Sequence, residues 1–310
     1  MKSVIRSIIS LASVLFTTVA FAWNGTGHET IAAIAYRNLS PDVRAKVDTI
    51  LQEHPKYDEW RAAAEKVSND EEIISLYVFM QAATWPDDIR RSGNPYDHPN
   101  WHFVDYPFTP PTKARNPKSP SPKDDILFGM SRSVEELKNA ENGDEERAIY
   151  LSWIVHLAGD GHQPLHCVSL VNDDFPAPAG DHGGNSIYIR PAKAGVKLHS
   201  FWDGLLGNSK LAATLDEPAN NATRIAHDYA ESSFPAGKTT SPVQKWTLES
   251  YDLAVQYGYL KGQISLASTA KEAGPLPSDY SKNAITVAEK QAALAGYRLA
   301  HVINDALTEQ

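Results

Sequence analysis

Cysteine is almost missing from this 310-residue chain. Cys167 is the one thiol, so no intrachain disulfide can form. Basic residues are in short supply too: 29 Lys and Arg against 38 Asp and Glu leave a formal charge of −9. That balance excludes a broad basic face of the kind that grips nucleic acid. If the protein handles phosphodiesters, positive charge has to be concentrated locally, and bound metal can do that. After the first two dozen residues no apolar run is long enough to span a bilayer. No repeat, linker or composition break divides the chain.

The opening residues are different in kind. Lys2 and Arg6 precede an apolar stretch ending in Ala20-Phe21-Ala22, with small residues three and one before a break. This is the pattern of a cleavable signal peptide. Ser10, Ser13, Thr17 and Thr18 dilute the stretch below what a spanning anchor wants. The expectation is a leader at 1–22 and one domain at 23–310, exported to a periplasm or the medium and without stable membrane attachment. The 288 residues from Trp23 keep 27 basic side chains against all 38 acidic ones, a formal charge of −11. That length has ample room for a core.

Most of the sequence reads as helix. Residues 28–38 place Ile31, Ile34 and Ala35 on one face, and residues 71–84 carry a broad apolar stripe from Ile73 to Met80. Helical spacing recurs at 125–140, 145–162, 217–231, 243–264 and 284–308. Ser40-Pro41 and Ser241-Pro242 read as helix starts. Five prolines make 108–125 a loop, and Pro and Gly do the same for 172–185. Ser186–Ile189 and Gly195–Leu198 look like a small β-hairpin. The fold class expected is all-α: a single mostly helical domain with a hairpin near 186–198.

Histidine carries the chemistry. His156, His162 and His166 fall within Trp153-Ile-Val-His-Leu-Ala-Gly-Asp160-Gly-His-Gln-Pro-Leu-His166. His156 and Asp160 are four apart on a predicted helix, so imidazole and carboxylate can point at one cation. His199 and Asp203 repeat the spacing. Three more segments set ligand types among aromatics: Trp23-Asn-Gly-Thr-Gly-His28, Trp85-Pro-Asp87-Asp-Ile-Arg90 and Trp101-His102-Phe-Val-Asp105. Histidine and carboxylate without cysteine suit zinc, although imidazole also serves copper, iron and nickel. Spacing alone does not choose between His162 and His166.

Taken together these segments resemble the trinuclear-zinc nucleases of moulds and plants, the S1/P1 nuclease family, which shares a helical fold with the bacterial zinc-dependent phospholipases C. The resemblance runs through Gly-Asp-Gly-His-Gln-Pro-Leu-His, Asp181-His-Gly-Gly-Asn185, Leu-His-x-x-Trp-Asp and Ala295-Gly-Tyr-Arg-Leu-Ala300. It implies three Zn²⁺. Asp87, His102, His156 and Asp160 would hold one. The α-amino nitrogen and carbonyl of Trp23, with His28 and a bridging Asp160, would hold the second, and His166, His199 and Asp203 the third. It implies that Asp105 orients the attacking water or takes its proton, that Arg90 clamps phosphate and that Asn185 helps hold the nucleotide.

The activity implied is endonucleolytic cleavage of single-stranded DNA and RNA to 5′-phosphorylated products, with 3′-nucleotidase action on nucleotides, by a monomer. The lack of disulfides points to a bacterial-type member. Phe108 stands where some relatives carry a lysine near the scissile phosphate. His162 is expected to be a buried hydrogen-bonding residue and His182 to be solvated. His54, His98, His227 and His301 read as surface or core residues, and Asp88 as a cap or surface carboxylate. Asn24 and Asn221 match the glycosylation pattern. The rivals are a phospholipase C and a non-catalytic zinc-binding protein. The short gap from Trp23 to His28 and a final aspartate speak against the first, and Asp105, Arg90 and Asn185 against the second.

Overall fold

The computed structural model describes residues 23–111, 121, 123–139, 141–207 and 216–308. Its helices are α1 (Gly25–Arg37), α2 (Pro41–Gln52), α3 (Tyr57–Ala64), α4 (Glu71–Ala82), α5 (Trp85–Asp88) and α6 (Ile126–Lys138). They continue with α7 (Asp144–Asp160), α8 (Leu198–Asp203), α9 (Asp216–Asp228), α10 (Val243–Leu253) and α11 (Tyr280–Thr308). Every residue of α7 from Ala148 to Asp160 is buried, and a helix enclosed on all sides belongs at the centre. Around it pack α6, α11, α2, α1, α5 and α4, while α1 sits between α11, α9 and α4. The small residues of α11 allow this closeness: a Cβ added to Gly296 would lie 2.5 Å from Cγ2 of Ile34 on α1. The core therefore runs along α1, α7 and α11, and the last turn of α7 and first turn of α1 meet inside it.

Four two-residue strands complete the described fold. β3 (Tyr188–Ile189) and β4 (Val196–Lys197) pair antiparallel with Tyr188 opposite Lys197, inside the hairpin expected at 186–198. A parallel pair was not expected: β1 (Pro107–Phe108) runs beside β2 (Ser169–Leu170). It ties the segment after Asp105 to the chain after His166, through Val104 N–H to the His166 carbonyl and Ser169 N–H to the Tyr106 carbonyl. The mostly helical class stands.

The helix expected over 243–264 is shorter. It ends at Leu253, continues as π-helix over Ala254–Gly258 and breaks where Leu260 and Lys261 take positive φ of 51° and 59°. The break lets the Tyr259 hydroxyl reach Asp181 Oδ2 at 2.8 Å. Ser241 does not cap α10, whose N-cap is Pro242. Its hydroxyl instead donates to the Lys238 carbonyl and accepts from Arg298. Ser40 does cap α2, accepting from Val43 N–H. The expected leader at 1–22 lies outside the described residues, as does most of the proline-rich loop. Phe108 lies in β1, buried against Tyr259. Among the described residues no helix is long and apolar enough to cross a membrane.

Candidate metal centre and cleft

Six chain segments deliver the expected histidines and aspartates to one region. Asn24 caps α1 by accepting from Gly27 N–H, which sets His28 on the first turn. The short α5 presents Asp87, and the segment after Trp101 presents His102. The last turn of α7 places His156 and Asp160 on one face, as their i,i+4 spacing predicts. His166 lies in the 3-10 turn Pro164–Cys167, and α8 carries His199 and Asp203. All of these side chains are buried except Asp87, which is 10% exposed.

The separations are those of atoms sharing a cation. His102 Nδ1 lies 2.9 Å from His156 Nε2 and 3.1 Å from Asp160 Oδ2, and His156 Nε2 lies 3.0 Å from the same oxygen. Asp87 Oδ1 stands 3.7 and 3.9 Å from the two imidazole nitrogens. Around a tetrahedral zinc with bonds of about 2.0–2.1 Å, ligand atoms sit about 3.3 Å apart. His28 Nε2 is 3.5 Å from Asp160 Oδ1, and its ring stacks on His156 at 4.1 Å. His28, Asp87 and His156 also form a group with ligand atoms within 4.8 Å, so Asp87 borders two of the positions. His166, His199 and Asp203 form a separate group: the two Nε2 atoms are 3.2 Å apart and His199 Nε2 is 3.7 Å from Asp203 Oδ1.

Backbone carbonyls orient three of the imidazoles. Nδ1–H of His156 donates to Ala83 O at 2.8 Å, that of His166 to His102 O at 2.7 Å and that of His199 to Gly183 O at 2.7 Å. Each bond fixes the tautomer and turns an Nε2 lone pair inward. Lone pairs facing one another across 3 Å repel unless a cation or proton lies between them. Consistent with a cation, His28 Nε2, Asp87 Oδ1 and Asp160 Oδ1 are buried with no hydrogen-bond partner. Gly159 makes room for this, because a Cβ there would come within 2.7 Å of His28 Nδ1.

Beside the cluster opens a cleft of about 130 Å³ whose walls include His102, His166 and His199 together with Arg90, Asp105 and Asn185. Those last three were singled out in the sequence for water, phosphate and nucleotide. Arg90 also lies 3.6 Å from Asp87 Oδ1, so pairing with Asp87 and facing the cleft are compatible.

A family model described as S1/P1 nuclease matches residues 23–308. The chain belongs to the S1/P1 nuclease family. It is 25% identical to Endonuclease 4 of Arabidopsis thaliana over 92% of this chain and 89% of the relative. It is 22% identical to Nuclease P1 of Penicillium citrinum and 23% to Nuclease PA3 of a Penicillium species, each over 91% of this chain and 97% of the relative. S1/P1 nucleases are zinc enzymes that hydrolyse phosphodiester bonds, and the His/Asp clusters here are of a kind that can bind metal.

The electrostatics of the S1/P1 centre follow from burial and mutual charge. Burial lowers His28 to about 4, helped by His156, and lowers His102 to about 3. It takes His199 to about 3, with His166 adding to the fall. Burial would lower His156 also, but Asp160 and Asp87 outweigh it and raise it to about 9. For Asp160 burial opposes ionisation, yet His156 and His166 hold its carboxyl well below the ordinary range. Asp203 is pushed well above that range by burial despite a hydrogen bond from Gln163. Burial, with Asp181 nearby, raises Asp105 to about 7, a value suited to taking a proton near neutral pH.

Several residues with a part in the site were not foreseen. Gln163 donates Nε2–H to Asp203 Oδ1 at 2.7 Å and accepts Leu165 N–H at 2.6 Å, bracing a candidate ligand of the second cluster. Asp181 accepts from Leu170 N–H, Gly184 N–H and the Tyr259 hydroxyl, which fixes the loop carrying Asn185. Phe103, half-buried, lines the cleft beside His102. All three lay inside motifs read for their neighbours.

The remaining histidines behave as expected. His162 is buried, donating to Ala158 O and accepting from Arg298. His54 stacks on Trp60 and His98 on Trp101, while His227 pairs with Asp228 and His301 with Glu231. Asp88 accepts from Thr84. His182 is exposed, yet it lines the cleft. The side-chain amides of Asn24 and Asn221 donate to the carbonyls of Gly207 and Leu206.

Proposed function

We propose that the chain acts, after removal of residues 1–22, as an exported endonuclease on single-stranded DNA and RNA, giving 5′-phosphorylated products and also cleaving 3′-nucleotides. Three zinc ions fit the donor set. Asp87, His102, His156 and Asp160 would hold the first. The Trp23 amine and carbonyl, His28 and Asp160 would hold the second, and His166, His199 and Asp203 the third. The reading rests chiefly on buried side-chain atoms of His28, Asp87 and Asp160 that have no hydrogen-bond partner and that cations held there would satisfy. The family match beginning at Trp23 supports a processed terminus there.

Zinc bound in this way lowers the pKa of water to about 7 and offsets charge on phosphoryl oxygens. The chain supplies the rest. Asp105 accepts the proton of the attacking water, Arg90 donates paired hydrogen bonds to the phosphate, and Asn185 holds the nucleotide. Phe103 offers a ring for a base to stack on. The second zinc depends on processing, because an amide nitrogen is a poor ligand and only a freed amine at Trp23 can bind. Three divalent ions against three carboxylates leave local positive charge on an acidic protein, which is how it attracts phosphate.

Against a phospholipase, the exposed large apolar residues among those described are Val67, Ile73, Phe128, Leu266 and Ile285, and none lines the cleft. The test is purified protein beginning at Trp23, assayed for zinc and for turnover of single-stranded DNA, RNA, a 3′-mononucleotide and phosphatidylcholine, with and without chelator. Chelator-sensitive cleavage of the nucleic acids is expected. Activity on lipid alone would overturn the reading, and bound zinc with no turnover would favour a storage protein. We expect a monomer by sedimentation, with no retention on vesicles.

A further inference from the structure

One cleft residue is unused by the reading above. His182 lies on the loop between Asp181 and Asn185, exposed at the lip, whereas Asn185 is half-buried and Arg90 15% exposed. The backbone there is unusual. His182, Gly183 and Gly184 take positive φ of 56°, 60° and 84° in succession. The left-handed region disfavours any residue with a Cβ, so glycine is the default at such a position. Asp181, buried beneath, clamps the loop by accepting from Leu170 N–H, Gly184 N–H and the Tyr259 hydroxyl. The backbone and side-chain amides of Asn185 both donate to the His182 carbonyl. A side chain is thus carried, at a local cost, on a loop held rigidly over the cleft; strain that is over-determined in this way is characteristic of functional sites.

We propose that His182 contacts the substrate strand outside the scissile group, donating an imidazole N–H to the neighbouring phosphodiester. The reasoning is one of depth and exposure. A space of about 130 Å³ lined by the metal-binding imidazoles, Arg90 and Asp105 takes the scissile group and little more, so the rest of the strand leaves past the lip. Of the described residues that line the cleft, His182 is the exposed one with a side-chain donor, and imidazole always has at least one N–H to give. The contact rests on the nuclease reading and deepens it, making His182 a determinant of preference for chains over minimal substrates.

The test compares zinc-loaded wild type with His182→Gly and His182→Asn on a single-stranded dodecanucleotide and on a dinucleoside monophosphate, which has no neighbouring phosphodiester. For His182→Gly, kcat/KM should fall about five- to tenfold more on the dodecanucleotide than on the dinucleotide. Zinc content should be unchanged, and Tm equal or higher because glycine relaxes the left-handed position. His182→Asn, which keeps an N–H and tolerates that conformation, should recover most of the loss. An equal loss on both substrates, no loss on either, or a fall in Tm that tracks the activity would overturn the contact. Wild type that cleaved neither substrate would instead overturn the nuclease reading and carry the contact with it.

Discussion

Removing the side-chain amide of Gln163 separates a metal-positioning role from a folding role. Gln163 makes two hydrogen bonds, one to ligand Asp203 at 2.7 Å and one from Leu165 N–H at 2.6 Å. In Gln163→Leu the first loss acts on the metal and the second on the fold. A hydrogen bond to a charged group is worth about 1.5–3 kcal/mol, and groups that orient ligands typically carry about 10–100-fold in metal affinity, or about 1.4–2.7 kcal/mol. The two routes agree. Burial raises Asp203 well above the ordinary carboxylate range and the hydrogen bond from Gln163 works against that shift, so its loss makes the carboxyl harder to ionise. The ionised form that a metal binds is then less available.

If three zincs bind as proposed, competition with a chromophoric chelator should therefore show one of them weakened by about 10–100-fold while the other two keep wild-type affinity. The neutral bond to Leu165 costs about 0.5–1.5 kcal/mol of stability, read from urea unfolding of the metal-free variant. Gln163→Glu, which sets a carboxylate beside Asp203, should be worse for metal than Gln163→Leu. Wild-type affinity at all three positions in Gln163→Leu would refute the reasoning. So would equal weakening of all three, since that would trace the effect to the fold.

Asp160→Asn touches the positions shared by His28, His102 and His156. It should lose two zincs and at least about 100-fold in kcat, measured by metal analysis and single-strand cleavage. A form that keeps Ala22 attached to Trp23 should bind one zinc fewer and be inactive; equal specific activity would exclude the amine as a ligand. His156 is raised to about 9 in the metal-free state, so its ion pair with Asp160 is complete below about pH 6.5 and is lost as pH rises through about 9. Zinc uptake at pH 7.5 should accordingly release at least one proton, that of His156. Calorimetry in buffers of differing ionisation enthalpy reads that number, and no buffer dependence would dismiss it. Arg298→Met leaves buried His162 Nε2 without its partner, while Ser241 keeps the Lys238 carbonyl and Glu249 the Lys238 ammonium, and should lower stability by about 1–3 kcal/mol, with metal-free unfolding as the measure.

Spacing alone made two pairs of the candidate site legible, because His156/Asp160 and His199/Asp203 sit four apart and both helices formed; the rest of the set came only with the family resemblance. The parallel pairing of β1 with β2 was not legible, because two-residue strands leave no periodic signal. Nor was the early end of α10. Its apolar spacing continues past Leu253, and what stops it is tertiary, the reach of Tyr259 to Asp181. Ser241-Pro242 misled for a related reason: its hydroxyl was claimed by Arg298, some 57 residues away in sequence. Gln163 sat in full view within the histidine block, but its role depends on α8 arriving beside it, which only the fold decides.

The same distinction explains how an acidic chain can serve as a nuclease. Net charge governs long-range attraction, and at −9 that attraction is absent. What remains is short-range. Local charge at the buried cluster draws phosphate only after a strand has come within about a Debye length, some 8 Å at physiological salt. Selection must therefore happen at contact, favouring a strand flexible enough to bring one phosphodiester into a narrow cleft. A stacked, paired duplex cannot bend a single phosphate that far in without unpairing. Preference for single strands follows from the small volume and recessed position of the cleft, without any residue that reads strandedness.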